Sequence, residues 1–168
     1  MPTLFRTLTL AGALALFACK KEPDRWEAAK QQAEIAQEAK KDAPPVIVTE
    51  TNSFNKAFPS EAATSAKRTF RTDKPGFADA VYTGADGQEL CVVTISDTNS
   101  DAAVKAKYAS ASEKLGSYPL TTLGNTMSSV LVADRFQVKV SSKTLTPEVR
   151  KDWLQKVDLA ALAALSTH

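Results

Sequence analysis

The stretch RFQVKVSS, residues 135–142, alternates strictly: Phe136, Val138 and Val140 are apolar, and Arg135, Gln137 and Lys139 fall between them. An extended chain places successive side chains on opposite sides, so this period of two makes one dry face and one wet face. A strand of that kind needs neighbours, and the chain upstream supplies them. KRTFRTD (67–73) and FADAVYTG (77–84) flank a turn at Lys74-Pro75-Gly76, and Ala85-Asp86-Gly87-Gln88 leads into ELCVVTISD (89–97). Leu90 to Val93 is apolar at every position, with Ile95 following, as expected of a central strand covered by a helix. YPLTTL (118–123) and MSSVLVAD (127–134) complete the set.

Helical segments interrupt these strands. Asn99 or Ser100 can cap a helix over 101–115 that carries Val104, Tyr108, Ala111 and Leu115 on one side and ends at Gly116. Thr146 caps and Pro147 opens a second helix, 147–157, with Val149, Trp153, Leu154 and Val157. Asp158 starts a last short helix in which Leu159, Leu162 and Leu165 pack back. FNKAF (54–58) suggests one helical turn stopped by Pro59, and SEAATSA (60–66) fits either a loop or a short helix. The order predicts an α+β domain over 46–168: an antiparallel sheet of about five to six strands with helices on one face. With 43% apolar and 24% charged residues the chain has enough apolar material for such a core.

The amino terminus follows a different logic. Met1 to Arg6 is weakly basic, Leu8 to Phe17 is an apolar run of signal-peptide length, and Lys20, Lys21 and Glu22 end it abruptly. No apolar run reaches the ~18 residues needed to span a bilayer. Leu16, Phe17, Ala18 and Cys19 resemble the lipobox of bacterial lipoproteins: an aliphatic residue at −3, a small one at −1, then the cysteine, with Phe17 bulkier than the usual −2 residue. The resemblance covers residues 1–19. It implies removal of a signal peptide, 1–18, and attachment of lipid to Cys19, which becomes the first residue of the mature protein. Each buried methylene contributes about 0.8 kcal/mol, so two or three acyl chains on one cysteine hold a protein on a membrane unaided. In a Gram-negative host, Lys20 in place of Asp after the cysteine implies the periplasmic face of the outer membrane. A disulfide between Cys19 and Cys91 is the alternative for an exported chain with two cysteines. The rest of the chain is similar in kind to small bacterial lipoproteins that combine a sheet with helices, and no motif in it singles out a family.

Between anchor and domain, residues 19–45, DRWEAAKQQAEIAQEAKKD (24–42) has no glycine or proline and stops at Ala43-Pro44-Pro45. Its apolar face is mostly alanine (Ala29, Ala33, Ala36) beside Trp26, which buries little. A stalk-like helix, or one resting on the domain, is the expectation.

The inventory of reactive side chains is poor. The single histidine is the terminal His168, which no partner can orient as a base. Zinc needs several Cys and His ligands, and lipidation leaves Cys91 alone, in an apolar strand where a cysteine behaves as a small hydrophobe. Asp97-Thr98-Asn99-Ser100-Asp101 matches the start of an EF-hand loop, but Ala102 replaces the required glycine and Tyr108 the bidentate glutamate; a looser calcium site or a plain helix cap remains. Asp73, Asp79, Asp86 and Asp134 are candidates for a glycosidase-like carboxylate pair. Lys67, Arg68, Arg71 and Lys74 with Phe70 form a basic cluster, suited to an anionic lipid or polymer or to plain solvation. The formal charge of +2 gives no nucleic-acid signature. The expectation is a lipid-anchored cell-envelope protein with a small non-catalytic periplasmic domain that has a binding or structural role, not an enzyme, without cofactor or metal, whose partners are the membrane, through Cys19, and an envelope protein. A lipid-anchored hydrolase of cell-wall glycan and a carrier of a small apolar ligand between sheet and helices are the competing readings.

Overall fold

The computed structural model describes residues 48–166, with Trp26 and Lys30. Cys19, the signal peptide, nearly all of the expected 24–42 helix and His168 lie outside the described residues. The described stretch falls within one compact unit, Pro45–His168.

The strands are β1 (Lys67–Lys74), β2 (Phe77–Thr83), β3 (Glu89–Asp97), β4 (Glu113–Leu115), β5 (Tyr118–Leu123), β6 (Met127–Val132) and β7 (Phe136–Ser141). The helices are α1 (Glu61–Thr64), α2 (Ala102–Ala109), α3 (Pro147–Gln155) and α4 (Leu159–Leu165). All seven strands join one sheet in the order β1-β2-β3-β7-β6-β5-β4, and every pairing is antiparallel. The α+β expectation therefore holds, with seven strands where five to six were expected.

The extra strand is a correction to the helix expected over 101–115. That helix ends at Ala109, and its cap is Asp101, whose carboxylate accepts from the Val104 N–H at 3.0 Å, and not Asn99 or Ser100. Glu113–Leu115 pairs instead with β5, Leu115 facing Tyr118 across the two-residue loop Gly116–Ser117. Gly116 has φ +61°, the left-handed conformation such a hairpin loop demands. The β6–β7 turn corrects a second boundary: Ala133 and Asp134, expected at the end of a strand, lie at φ +49° and +51° and form the turn. At 54–58 the chain makes turns, not a helix, and still buries Phe54, Ala57 and Phe58.

Pleating assigns the core. Tyr82, Cys91, Val93, Ile95, Val130, Val132, Phe136, Val138 and Val140 are fully buried on one face. Over them lie α3 and α4: the Trp153 ring meets Tyr82 edge-on at 4.8 Å, and Leu154 and Leu162 are fully buried. The Phe54 ring meets Phe136 edge-on at 5.7 Å. Of the apolar residues this helix carries, Val149 is exposed, and Arg150 is its fully buried neighbour. Arg150 Nη1 donates to the Asn125 and Leu145 carbonyls and Nε to Ser128 Oγ at 3.2 Å, tying α3 to the β5–β6 turn.

Helices do not all occupy that face. Tyr108 of α2 reaches Ser129 and Gln137, whose side chains alternate with the core residues Val130 and Val138 and so belong to the opposite side. The first residues of the domain are also fixed to the sheet. Thr49 donates from N and Oγ1 to Asp97 Oδ2 at 3.0 and 2.8 Å, and Arg135 Nη2 donates to the same oxygen at 2.9 Å. The Asp97 side chain is fully buried. Burial opposes its ionisation, but these bonds and the Asn99 N–H outweigh burial and hold the carboxyl below the usual range.

Candidate functional site

The face away from α3 and α4 is ordered in rows by the strand register. One row runs Asp79, Thr94, Lys139, Ser129, Thr121 across β2, β3, β7, β6 and β5. The next row runs Val81, Val92, Ser141, Met127, Leu123. A polar row thus borders a largely apolar one.

Among the described residues, only α2 sits over this face. It is a thin helix, AAVKAKYA, and Tyr108 is its one buried residue. The Tyr108 hydroxyl donates to Ser129 Oγ at 2.8 Å and accepts from Gln137 Nε2 at 2.8 Å, while the Ser129 and Thr121 hydroxyls lie 3.0 Å apart. Leu131 is buried beneath the same helix.

Beside this network is a cleft of about 320 Å³ lined by Lys107, Tyr108, Thr121, Thr122, Leu123, Met127, Ser129, Gln137 and Lys139. It holds two lysines and no carboxylate. A second cleft of about 610 Å³ continues from it through the shared Leu123 and Met127, and adds Val92, Gly124, Ser141, Lys143 and Glu89 among others. Leu123 is 67% exposed at the common lip. Lys107 and Lys139 enter no ion pair with any described residue. The arrangement offers ammonium and hydroxyl donors in the smaller cleft and aliphatic surface of Leu123, Met127 and Val92 leading into the larger one, within the volume range of small-molecule sites.

The residues singled out from sequence are not brought together in this way. Cys91 is a free thiol buried in β3; burial, then Glu89, pushes its pKa up to about 12, so no thiolate forms near neutral pH. Of the four acids, Asp73 accepts from Asn52 N and Asn55 Nδ2 at 3.0 and 3.1 Å, on the core side of the sheet. Asp79 pairs with Arg71 on the open side, with Oδ1 left unpartnered. Asp86 serves the β2–β3 turn by accepting from the Gln88 N–H, and Asp134 sits in the β6–β7 turn at the other end of the sheet, 3.7 Å from Lys105. In the loop at 97–101, Asp97 is occupied by Thr49 and Arg135 and Asp101 by the α2 cap. Among the described residues no group of three or more His, Cys, Asp or Glu could hold a metal.

The basic cluster is likewise divided. Arg68 stacks on Phe70 at 5.0 Å and donates to the Phe58 and Pro59 carbonyls, Arg71 turns to the open face, and Lys74 lies over Phe77 at 5.4 Å. The space between the sheet and α3, the place for an apolar ligand in the carrier reading, is filled by Tyr82, Trp153 and Leu154.

Lys107, Tyr108, Thr121, Ser129, Gln137 and Lys139 carry no motif. The wet phase of RFQVKVSS marks Gln137 and Lys139, but their neighbours across the sheet come from strands whose pairing only the fold decides. Among the described residues, no helix is long and apolar enough to cross a membrane. Comparison with protein-family models, with curated proteins and with solved structures finds no match to this chain.

Proposed function

We propose that this chain is a lipid-anchored cell-envelope protein, held through Cys19, whose domain works by binding and not by catalysis. The anchor rests on the resemblance of Leu16 to Cys19 to a lipobox, and Lys20 favours the periplasmic face of an outer membrane. The single observation behind the binding role is the contrast in the sheet: one face is sealed by core, while the other carries two joined clefts lined by Lys139, Tyr108, Met127 and their neighbours. Dispersal of Asp73, Asp79, Asp86 and Asp134 gives a glycan hydrolase no facing carboxylates to work with.

Two experiments on the full-length protein in cells test this. Labelling with radioactive palmitate should mark the protein and vanish in Cys19→Ala; retention of label in the variant contradicts the anchor. A photo-crosslinking residue placed at Thr121, on the open face, should capture an envelope component that one placed at Gln155, on the outer side of α3, does not. Equal capture from both positions contradicts the binding face.

A further inference from the structure

We infer that the open face takes a single-chain amphiphile with an anionic head, the head at Lys107 and Lys139 and the chain along Val92, Met127 and Leu123. This rests on the binding role proposed above and specifies the ligand.

The charge is placed at one end. Lys107 and Lys139 line the smaller cleft with no acid in its wall and no ion-pair partner among the described residues. The Thr121 and Ser129 hydroxyls lie beside them; one donates to the other, which leaves one O–H of the pair to donate to the same head group. At the far end of the larger cleft Glu89 and Lys143 oppose each other in sign, so that end adds no net charge. Asp79, in the same cross-strand row as Lys139, stands two strands away and is neutralised by Arg71.

The apolar part is placed in the adjacent row, where Ser141 is the one polar residue among Val81, Val92, Met127 and Leu123. Val92, Met127 and Leu123 belong to the row adjacent to Lys139, on β3, β6 and β5. From β3 to β5 is three strand spacings, roughly 14 Å at ~4.8 Å each, the length of a medium acyl chain. Leu123, 67% exposed, is left largely uncovered by the described residues at the lip. A purely apolar ligand would leave two ammonium groups facing it, and a free anion would leave this row wet. The head chemistry is shared by phosphate and carboxylate, since both accept from lysine and hydroxyl donors.

The test uses the mature lipoprotein in lipid nanodiscs, with empty nanodiscs as the blank, titrated calorimetrically with octyl phosphate, octanoate, octan-1-ol and inorganic phosphate. Octyl phosphate and octanoate should bind at least ten-fold more tightly than the alcohol or phosphate. Lys139→Gln should weaken the anionic amphiphiles by about ten-fold, the loss of one charge-assisted hydrogen bond, and leave the thermal midpoint unchanged. Met127→Ser should weaken them as well, with no effect on inorganic phosphate. Equal binding of octan-1-ol, or no effect of Lys139→Gln, overturns the ligand class and leaves the binding face standing. No binding of any amphiphile overturns the inference; if Thr121 also captures no more than Gln155, the binding role falls with it.

Discussion

On one face of the sheet Tyr82, Val93, Ile95, Phe136, Val138 and Val140 are fully buried, while on the other the alternate residues Thr94, Ser96, Gln137, Lys139 and Ser141 stay partly exposed. The same strands make both faces, so backbone pairing cannot account for the difference; side-chain period and helix cover do. The covered face meets two helices and the 54–58 turns, and large side chains fill the interval. Among the described residues the open face meets one thin helix, whose one buried residue is Tyr108. Stability is concentrated on one side, which leaves the other free to carry lysines, hydroxyls and an exposed leucine without endangering the fold.

Substitution on each side should expose that division. Phe136→Ala removes a fully buried ring packed edge-on against Phe54, and it should cost about 4 kcal/mol in chemical denaturation. A loss under 1 kcal/mol would mean that the covered face does not carry the fold.

Asp97→Ala breaks the buried pair with Arg135 and frees Thr49, for a loss of about 3 kcal/mol near neutral pH. The folded carboxyl titrates below its unfolded value of about 3.9. The unfolded chain therefore takes up the proton first, and the stabilisation is complete above about pH 4 and lost as pH falls through the folded pKa. Denaturation at pH 7 and pH 3 should show the gap between wild type and variant narrowing at the lower pH. A gap of constant size would detach Asp97 from that stabilisation.

The smallest effect is expected on the open side. Tyr108→Phe deletes the hydroxyl shared by Ser129 and Gln137, and it should cost only about 1 kcal/mol, since both partners lie beside a cleft that water can enter. The same change loosens α2 over the cleft, so affinity for an anionic amphiphile should fall further than stability does. A stability loss as large as that of Phe136→Ala would erase the contrast between the faces.

Six of the seven strands stand where alternation, the Pro75-Gly76 turn and the Asp86-Gly87 turn placed them, because those signals are local. The seventh, Glu113–Leu115, has none: Glu113 and Lys114 are charged, and Leu115 falls at helical spacing from Tyr108. Its strand form comes from pairing with β5, a contact made only when the sheet is assembled. Arg150 shows a similar limit. Nothing local marks an arginine beside Val149 for burial, yet carbonyls at Asn125 and Leu145, brought close by the fold, give its guanidinium a buried place. The candidate site was legible only as the wet phase of one strand. Rows such as Lys139, Ser129 and Thr121 depend on which strands become neighbours, and β3 beside β7 is a long-range choice.

The most direct test of the division between faces is a residue-resolved NMR titration of the mature lipoprotein in nanodiscs with octyl phosphate. Shifts should concentrate at Val92, Thr121, Met127, Ser129 and Lys139, with Val138, Trp153 and Leu154 unmoved. Perturbation centred on α3 and the buried face, or none on either, would contradict the assignment of binding to the open side of the sheet.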